Sequence, residues 1–261
     1  MDLRELHLAL VDMVRTWIET GGEVERTPYG SIVRDTRHPL VHEANLAWID
    51  RAPEGGVPRV LGDMDRTFAP TAVRHRNVLF ADPQMAYEHQ DAFVERGFQP
   101  VAELEMARLG LPSCVVNPDL EVREVGVDTP ESHHDLVQTA LHAEAGYTPE
   151  ESRQLLEVEA GRRRAVGDRA FVGYLRGEPA GAYSMWPRGR HAIIGSVGTL
   201  PAFRMRGVGR TMIFDACQRS LGARCEYALL TTTLSDTPQA MYKTLGFEPI
   251  GELRGFLRRA V

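Results

Sequence analysis

The chain has 261 residues, 43% hydrophobic and 25% charged, which is a globular composition long enough for two domains of ordinary size. A formal charge of -6 and a pI near 5.9 exclude a general nucleic-acid or anionic-membrane footprint. Cys114, Cys217 and Cys225 are scattered with no CxxC spacing and read as buried free thiols of a reducing compartment.

Met1-Asp2-Leu3-Arg4-Glu5 lacks a basic region followed by an apolar one, so no secretory leader is expected. No apolar run approaches a membrane span. A cytoplasmic protein with neither membrane nor nucleic-acid partner is expected. The oligomeric state is not written in the sequence.

In chain order, residues 3–20 place Leu3, Leu6, Leu10, Val14, Trp17 and Ile18 at helical spacing, and Gly21-Gly22 ends that helix. Residues 31–34 and 44–49 read as strands, 53–58 as a Gly/Pro loop, 60–68 as helical and 78–81 as a short strand. Residues 83–96 read as a helix stopped by Gly97, and 98–109 as a strand. His38 and His42 have metal-like spacing, but Pro39 argues against a helix there and no third ligand is evident, so no metal is expected.

Pro112, Asn117 and Pro118 mark a linker, after which residues 121–125 read as a strand and 131–145 and 149–162 as helices. Strands at 170–175, 179–186 and 191–200 follow, with Gly177-Glu178 as the tight turn between the first two. A long helix at 205–221, a strand at 227–233, a short helix at 238–245 and a strand at 248–258 complete the order. Ser235 or Asp236 caps the short helix. His133-His134 reads as a solvent-facing helix start, and Arg162-Arg163-Arg164 as a solvated basic helix end.

Residues 93–104 lie over 242–253 at a constant offset of 149 (246 less 97). Gly97 and Gly246, Phe98 and Phe247, Pro100 and Pro249, Glu103 and Glu252, and Leu104 and Leu253 are identical pairs. The match reads as a tandem duplication divided at 1–115 and 116–261. Phe93 stands where the second copy has Tyr242.

Thr199-Leu200-Pro201-Ala202-Phe203-Arg204-Met205-Arg206-Gly207-Val208-Gly209-Arg210 carries most of the functional information. A β-favouring run ends at a proline, and an Arg/Gly turn leads into a helix. Entering a helix through glycines leaves N–H groups pointing outward, which suits a diphosphate. No Lys-Ser or Lys-Thr follows, as a P-loop requires, and Arg210-Thr211-Met212 does not complete G-x-G-x-x-G. The stretch resembles the acetyl-CoA signature V-x-P-x-x-R-x-R-G-x-G of the GNAT-type N-acetyltransferase superfamily. Thr199 replaces its valine, and Pro201, Arg204, Arg206, Gly207 and Gly209 match.

Residues 235–247 are similar to a second motif of that family, N-x-x-A-x-x-L-Y-x-K-x-G-F. Met241, Tyr242, Gly246 and Phe247 fit it, while Ser235 and Pro238 depart. The resemblance covers roughly residues 118–261. It implies an α/β (α+β) fold of tandem GNAT-like acyl-CoA N-acyltransferase type, a mixed central sheet flanked by helices. The truncated 1–115 copy, with no R-x-x-G-x-G and no tyrosine hydroxyl, is expected to be degenerate and non-catalytic.

The resemblance further implies acetyl-CoA as cosubstrate, without a metal. Val197, Gly198 and Thr199 would run along its arm, with Gly195 and Gly198 easing a bend and a close approach. Arg204, Met205, Arg206, Gly207, Val208, Gly209, Arg210 and Thr211 would surround the diphosphate, with Ser235 nearby. Tyr242 would be the general acid, since a phenol is protonated at neutral pH and can protonate a departing thiolate. No acid lies on 191–200, and His191, Ser196, Glu226, Glu144 and Glu151 are the candidates for a general base.

The expected reaction is direct transfer, in a ternary complex, to a primary amine on a small molecule or a peptide. The acidic balance favours a cationic acceptor. A mycothiol-synthase-like small-molecule acetyltransferase, a non-catalytic acyl-CoA sensor and a longer acyl donor are the alternatives.

Overall fold

The computed structural model describes residues 2–126, 132–234 and 237–259. The chain forms two compact units, Met1–Leu10 with Glu105–Ile250 and Val11–Leu104 with Gly251–Val261. These differ from a single cut at 115/116 because helix α1 (Leu3–Glu19) and strands β5 (Gln99–Leu109) and β11 (Glu248–Arg258) each contribute residues to both units.

The smaller unit contains β1 (Glu23–Thr27), β2 (Gly30–Arg34), β3 (Leu46–Ile49), α2 (Gly56–Phe68), β4 (Arg76–Phe80), α3 (Pro83–Glu88) and α4 (Gln90–Val94). Its strand order is β1-β2-β3-β4-β11-β5. β1 escapes prediction because Glu-Val-Glu-Arg-Thr is an edge strand with little apolar content, mostly exposed. The expected helix at 83–96 is two short ones, broken at His89. Helix α2 begins four residues before the expected Val60, since Gly55 and Gly56 (φ 90° and 64°) make a tight helix entry rather than an open loop.

Aromatic rings fill this unit's core. Phe93 stacks on Phe256 at 4.4 Å, and Phe80 meets both edge-on at 6.1 and 6.0 Å. Each such ring contributes roughly 1.5–3 kcal/mol on burial.

The larger unit adds β6 (Leu120–Val125), α5 (His133–Glu144), α6 (Pro149–Val166), β7 (Arg169–Leu175), β8 (Glu178–Arg188), β9 (His191–Thr199), α7 (Val208–Gly222), β10 (Tyr227–Thr233) and α8 (Thr237–Thr244). Its strand order is β5-β10-β9-β8-β7-β6. Arg176 and Gly177, at φ 54° and 88°, form the β7–β8 hairpin turn, one residue before the expected pair. Thr148 and Glu151 form a capping box on α6, and Gly167 ends that helix in the left-handed conformation. On one sheet face Val137 and Leu141 of α5 pack against Val172, Tyr174 and Ala182. On the other, Gly173 and Gly181 leave space for Met212 of α7.

The two units repeat one element order. β1-β2-β3-α2-β4 corresponds to β7-β8-β9-α7-β10, with antiparallel, antiparallel and parallel pairings in the same sequence. The helix stops coincide bond for bond: Phe98 N–H donates to Phe93 C=O (3.2 Å) as Phe247 does to Tyr242 (3.0 Å), and Gly97 donates to Val94 (2.9 Å) as Gly246 does to Lys243 (3.0 Å). Gly97 and Gly246 share φ values of 77° and 78°. From Gly251 on, β11, the last strand of the second repeat, lies in the smaller unit, where Arg254–Arg258 pairs antiparallel with β4.

Candidate active site

The site forms where β9 leaves its neighbour. β9 and β10 pair in parallel over His191–Ile193 and Tyr227–Leu229, at the start of both strands. Further on, a β-bulge sets Ser196 and Val197 of β9 against Tyr183 of β8, between the Ser184–Gly195 and Ala182–Gly198 pairs. Ser196 takes φ 50°, left-handed for a non-glycine residue, which marks the kink. Val197, Gly198 and Thr199 follow it, all partly exposed.

Gly198 also makes room for a neighbouring helix. A Cβ there would lie 2.1 Å from Leu141 Cδ1, so its bare backbone makes room for α5. Gly195 has only Ser184 Oγ within reach, at 3.3 Å from a built Cβ.

Helix α7 begins at Val208, three residues later than expected, because Met205 (φ 59°) and Gly207 (φ 77°) are left-handed. Its first helical bond runs from Thr211 N–H to Gly207 C=O at 3.0 Å. The amides of Val208, Gly209 and Arg210 precede that bond and point out of the helix end. Arg206 and Arg210 are exposed beside them, as is Met205. A Cβ on Gly209 would lie 3.3 Å from Thr199 Oγ1 and 3.4 Å from Met241 Sδ, so the helix start, the strand end and α8 meet there. Tyr242 follows Met241, 5% exposed, its ring 5.8 Å from that of Phe247.

Two residues expected around the diphosphate also make contacts within the loop. Arg204 makes a bidentate pair with Glu144 at 2.7 and 2.5 Å, and its Nε donates to Thr199 C=O at 3.2 Å. The Thr211 hydroxyl is buried and accepts the Asn117 amide at 2.8 Å, while Asn117 Nδ2 donates to Arg206 C=O at 2.8 Å. Asn117 was legible only as a linker residue, since its partners lie 89 and 94 positions away. Ser235, with Asp236, lies outside the described residues.

Of the base candidates, Glu144, Glu226 and Glu151 are hydrogen-bonded to other residues. Arg204 holds the Glu144 carboxyl below the usual range, and Arg190 does the same to Glu226. Glu151 caps α6 through Thr148. His191, its pKa lowered by burial and then by Arg190, begins β9, about 25 Å of extended strand from Thr199. The backbone carbonyl of Ser196 accepts from Gln138 Nε2 at 2.6 Å, a bond that does not involve its hydroxyl. Burial pushes the Cys217 thiol up to about 12 and also raises Cys225, so neither presents a ready thiolate.

Two further expectations are corrected. His134 is 1% exposed, and Arg162 and Arg163 are 3% and 2%, so neither cluster is solvated at those positions. Arg163 reaches Glu159 at 2.6 Å and Asp168 at 3.5 Å, and His134 lies 3.4 Å from Arg163 Nη1. Helix α6 runs on to Val166, and the burial of Arg163 is matched by these two acids.

Asp168 titrates near 6, raised by burial and only partly offset by Arg163. A raised carboxyl contributes its stability below the unfolded value near 3.8 and loses it as pH rises through 6. Between pH 4 and pH 8 Asp168→Asn should therefore lose less stability than wild type does, read as the change in denaturant midpoint over that range. An equal or steeper loss in the variant would contradict this.

His38 Nδ1 lies 2.7 Å from Asp35, and the His42 ring sits 4.4 Å from that of His75. No cluster of three or more His, Cys, Asp or Glu fit for a metal occurs among the described residues. Among them, too, no helix is long and apolar enough to cross a membrane.

In the smaller unit the corresponding place is closed. β3 pairs with β4 to its last residue, Ile49 opposite Phe80. Pro58 removes an amide from the first turn of α2, and Arg59 is held by Asp63 at 2.8 Å.

Among known proteins, residues 135–247 match the family described as "Acetyltransferase (GNAT) family". The chain resembles a GCN5-related N-acetyltransferase from Kribbella flavida, with TM-score 0.68 and 16% identity over 97% of this chain and 95% of that one. A conserved protein of unknown function from Staphylococcus epidermidis ATCC 12228 gives TM-score 0.67 and 15% identity over 93% and 96%. A tandem GNAT protein from the clavulanic acid biosynthesis pathway gives 0.58 and 16% over 89% and 80%. At such identities the likeness speaks for fold alone, an α/β GNAT-like fold with a mixed sheet flanked by helices. No curated protein matches the chain.

Proposed function

We propose, from the membership of residues 135–247 in the GNAT acetyltransferase family, that this protein moves an acetyl group from acetyl-CoA directly to a primary amine. The observation that carries the reading is the partly exposed end of β9 beside a glycine-led helix start with two exposed arginines. The amides of Val208, Gly209 and Arg210 supply hydrogen-bond donors to a diphosphate, and Arg206 and Arg210 supply charge. Arg204 and Thr211 keep the loop in shape through Glu144 and Asn117. Val197, Gly198 and Thr199 offer backbone groups to the arm. When bound, acetyl-CoA supplies the activated acyl group.

Tyr242 holds the proton needed by the departing sulfur. Raised thiol pKa values at Cys217 and Cys225 favour direct transfer over an acyl-cysteine. The smaller unit is a repeat without chemistry: Phe93 replaces the tyrosine, and packed rings occupy its core. The acceptor is a small-molecule or peptide amine, with cationic ones favoured by the chain's net charge of -6.

Free-thiol release from acetyl-CoA, run over a panel of small amines and peptides, tests this. At least one amine should accelerate release and appear acetylated by mass spectrometry. Tight acetyl-CoA uptake with no acetylated product from any amine would instead identify a sensor.

A further inference from the structure

We infer that Gln138 is a positioning residue for the transfer site, acting through the bulged peptide of β9; this rests on the reading of β9 as the strand that carries the thioester arm. Gln138 is 5% exposed on α5, and its Nε2 donates to the Ser196 carbonyl at 2.6 Å. That carbonyl belongs to the residue with φ 50° at the kink. A trans peptide is a rigid plane with its C=O and N–H opposed, so fixing the Ser196 carbonyl also fixes the Val197 N–H, which points away from Gln138.

Two more contacts from the same helix continue along the strand. Leu141, three residues on, fills the space over Gly198, and Glu144, three further, grips Arg204, which in turn bonds Thr199 C=O. Gln138, Leu141 and Glu144 thus hold β9 at the bulge, after it and at its end. Of these three, Gln138 holds a backbone dipole at the kink. Without its amide, a partly buried carbonyl in a strained peptide loses its donor and the plane is free to turn.

The test uses the full chain with Gln138→Leu and Gln138→Glu. Amide hydrogen exchange of the free protein, acetyl-CoA binding by calorimetry, and thiol release with the best amine are measured for each. Gln138→Leu should exchange about tenfold faster in residues 194–199 than wild type, with β7 and β8 unchanged, and should lose about tenfold in kcat. A carboxyl donates only when protonated, so Gln138→Glu should regain slow exchange and relative turnover as pH falls, while Gln138→Leu does not. Exchange and turnover equal to wild type in both variants, with acetyl-CoA still bound, would overturn the inference alone. So would faster exchange spread evenly over β7, β8 and β9, which is a loss of general stability. Wild type that takes up no acetyl-CoA would overturn the functional reading and the inference with it.

Discussion

Tyr242→Phe should lower kcat by about 10²–10⁴ while leaving the acetyl-CoA dissociation constant within about twofold of wild type. The change removes one hydroxyl and keeps the ring that packs 5.8 Å from Phe247. The fold accepts phenylalanine in this setting, as Phe93 shows with the same helix-stop bonds. A defect confined to kcat would place the hydroxyl in the transition state rather than in binding. Stopped-flow thiol release with the preferred amine, beside calorimetry, reads both quantities. Turnover equal to wild type would remove Tyr242 from the chemistry.

The second large effect is expected at Gly209. Its φ is not left-handed, so a side chain is not excluded by the backbone; what excludes it is location. A Cβ would already stand 3.3 Å from Thr199 Oγ1 and 3.4 Å from Met241 Sδ, and a valine would fill the junction of β9, α7 and α8. Each contact at a helix N-terminus contributes about 0.3–2 kcal/mol, so disrupting several should weaken acetyl-CoA binding by about a hundredfold. The far-ultraviolet circular dichroism of Gly209→Val should match wild type. Binding within about threefold of wild type would show that this junction is not the diphosphate cradle.

What the sequence disclosed was local. The Arg/Gly turn, the glycine stops at Gly97 and Gly246 and the near-continuous apolar runs of β7 and β8 are written in adjacent residues, so most of the element order and the repeat could be read directly. What it withheld was long-range pairing. Arg204 reads as a phosphate ligand, and its pairing with Glu144, sixty residues earlier, has no local signal. Asn117 and Gln138 are ordinary polar residues until the fold delivers Arg206 and Ser196 to them.

Burial of charge was equally hidden. Arg163 sits in a run of three arginines that reads as solvent-facing, and only the return of the chain through Asp168, with Glu159 beside it, makes its burial tolerable. The strand β1 failed for the opposite reason: an edge needs little apolar sequence, so its pattern carries little signal.

The account stands on the start of α7 as the place that grips coenzyme A. Titration of acetyl-CoA into the full-length protein by calorimetry, repeated with Gly209→Val, addresses it most directly. One-to-one uptake by wild type, strongly weakened in the variant, is the predicted result. No heat of binding to well-folded wild-type protein would contradict it.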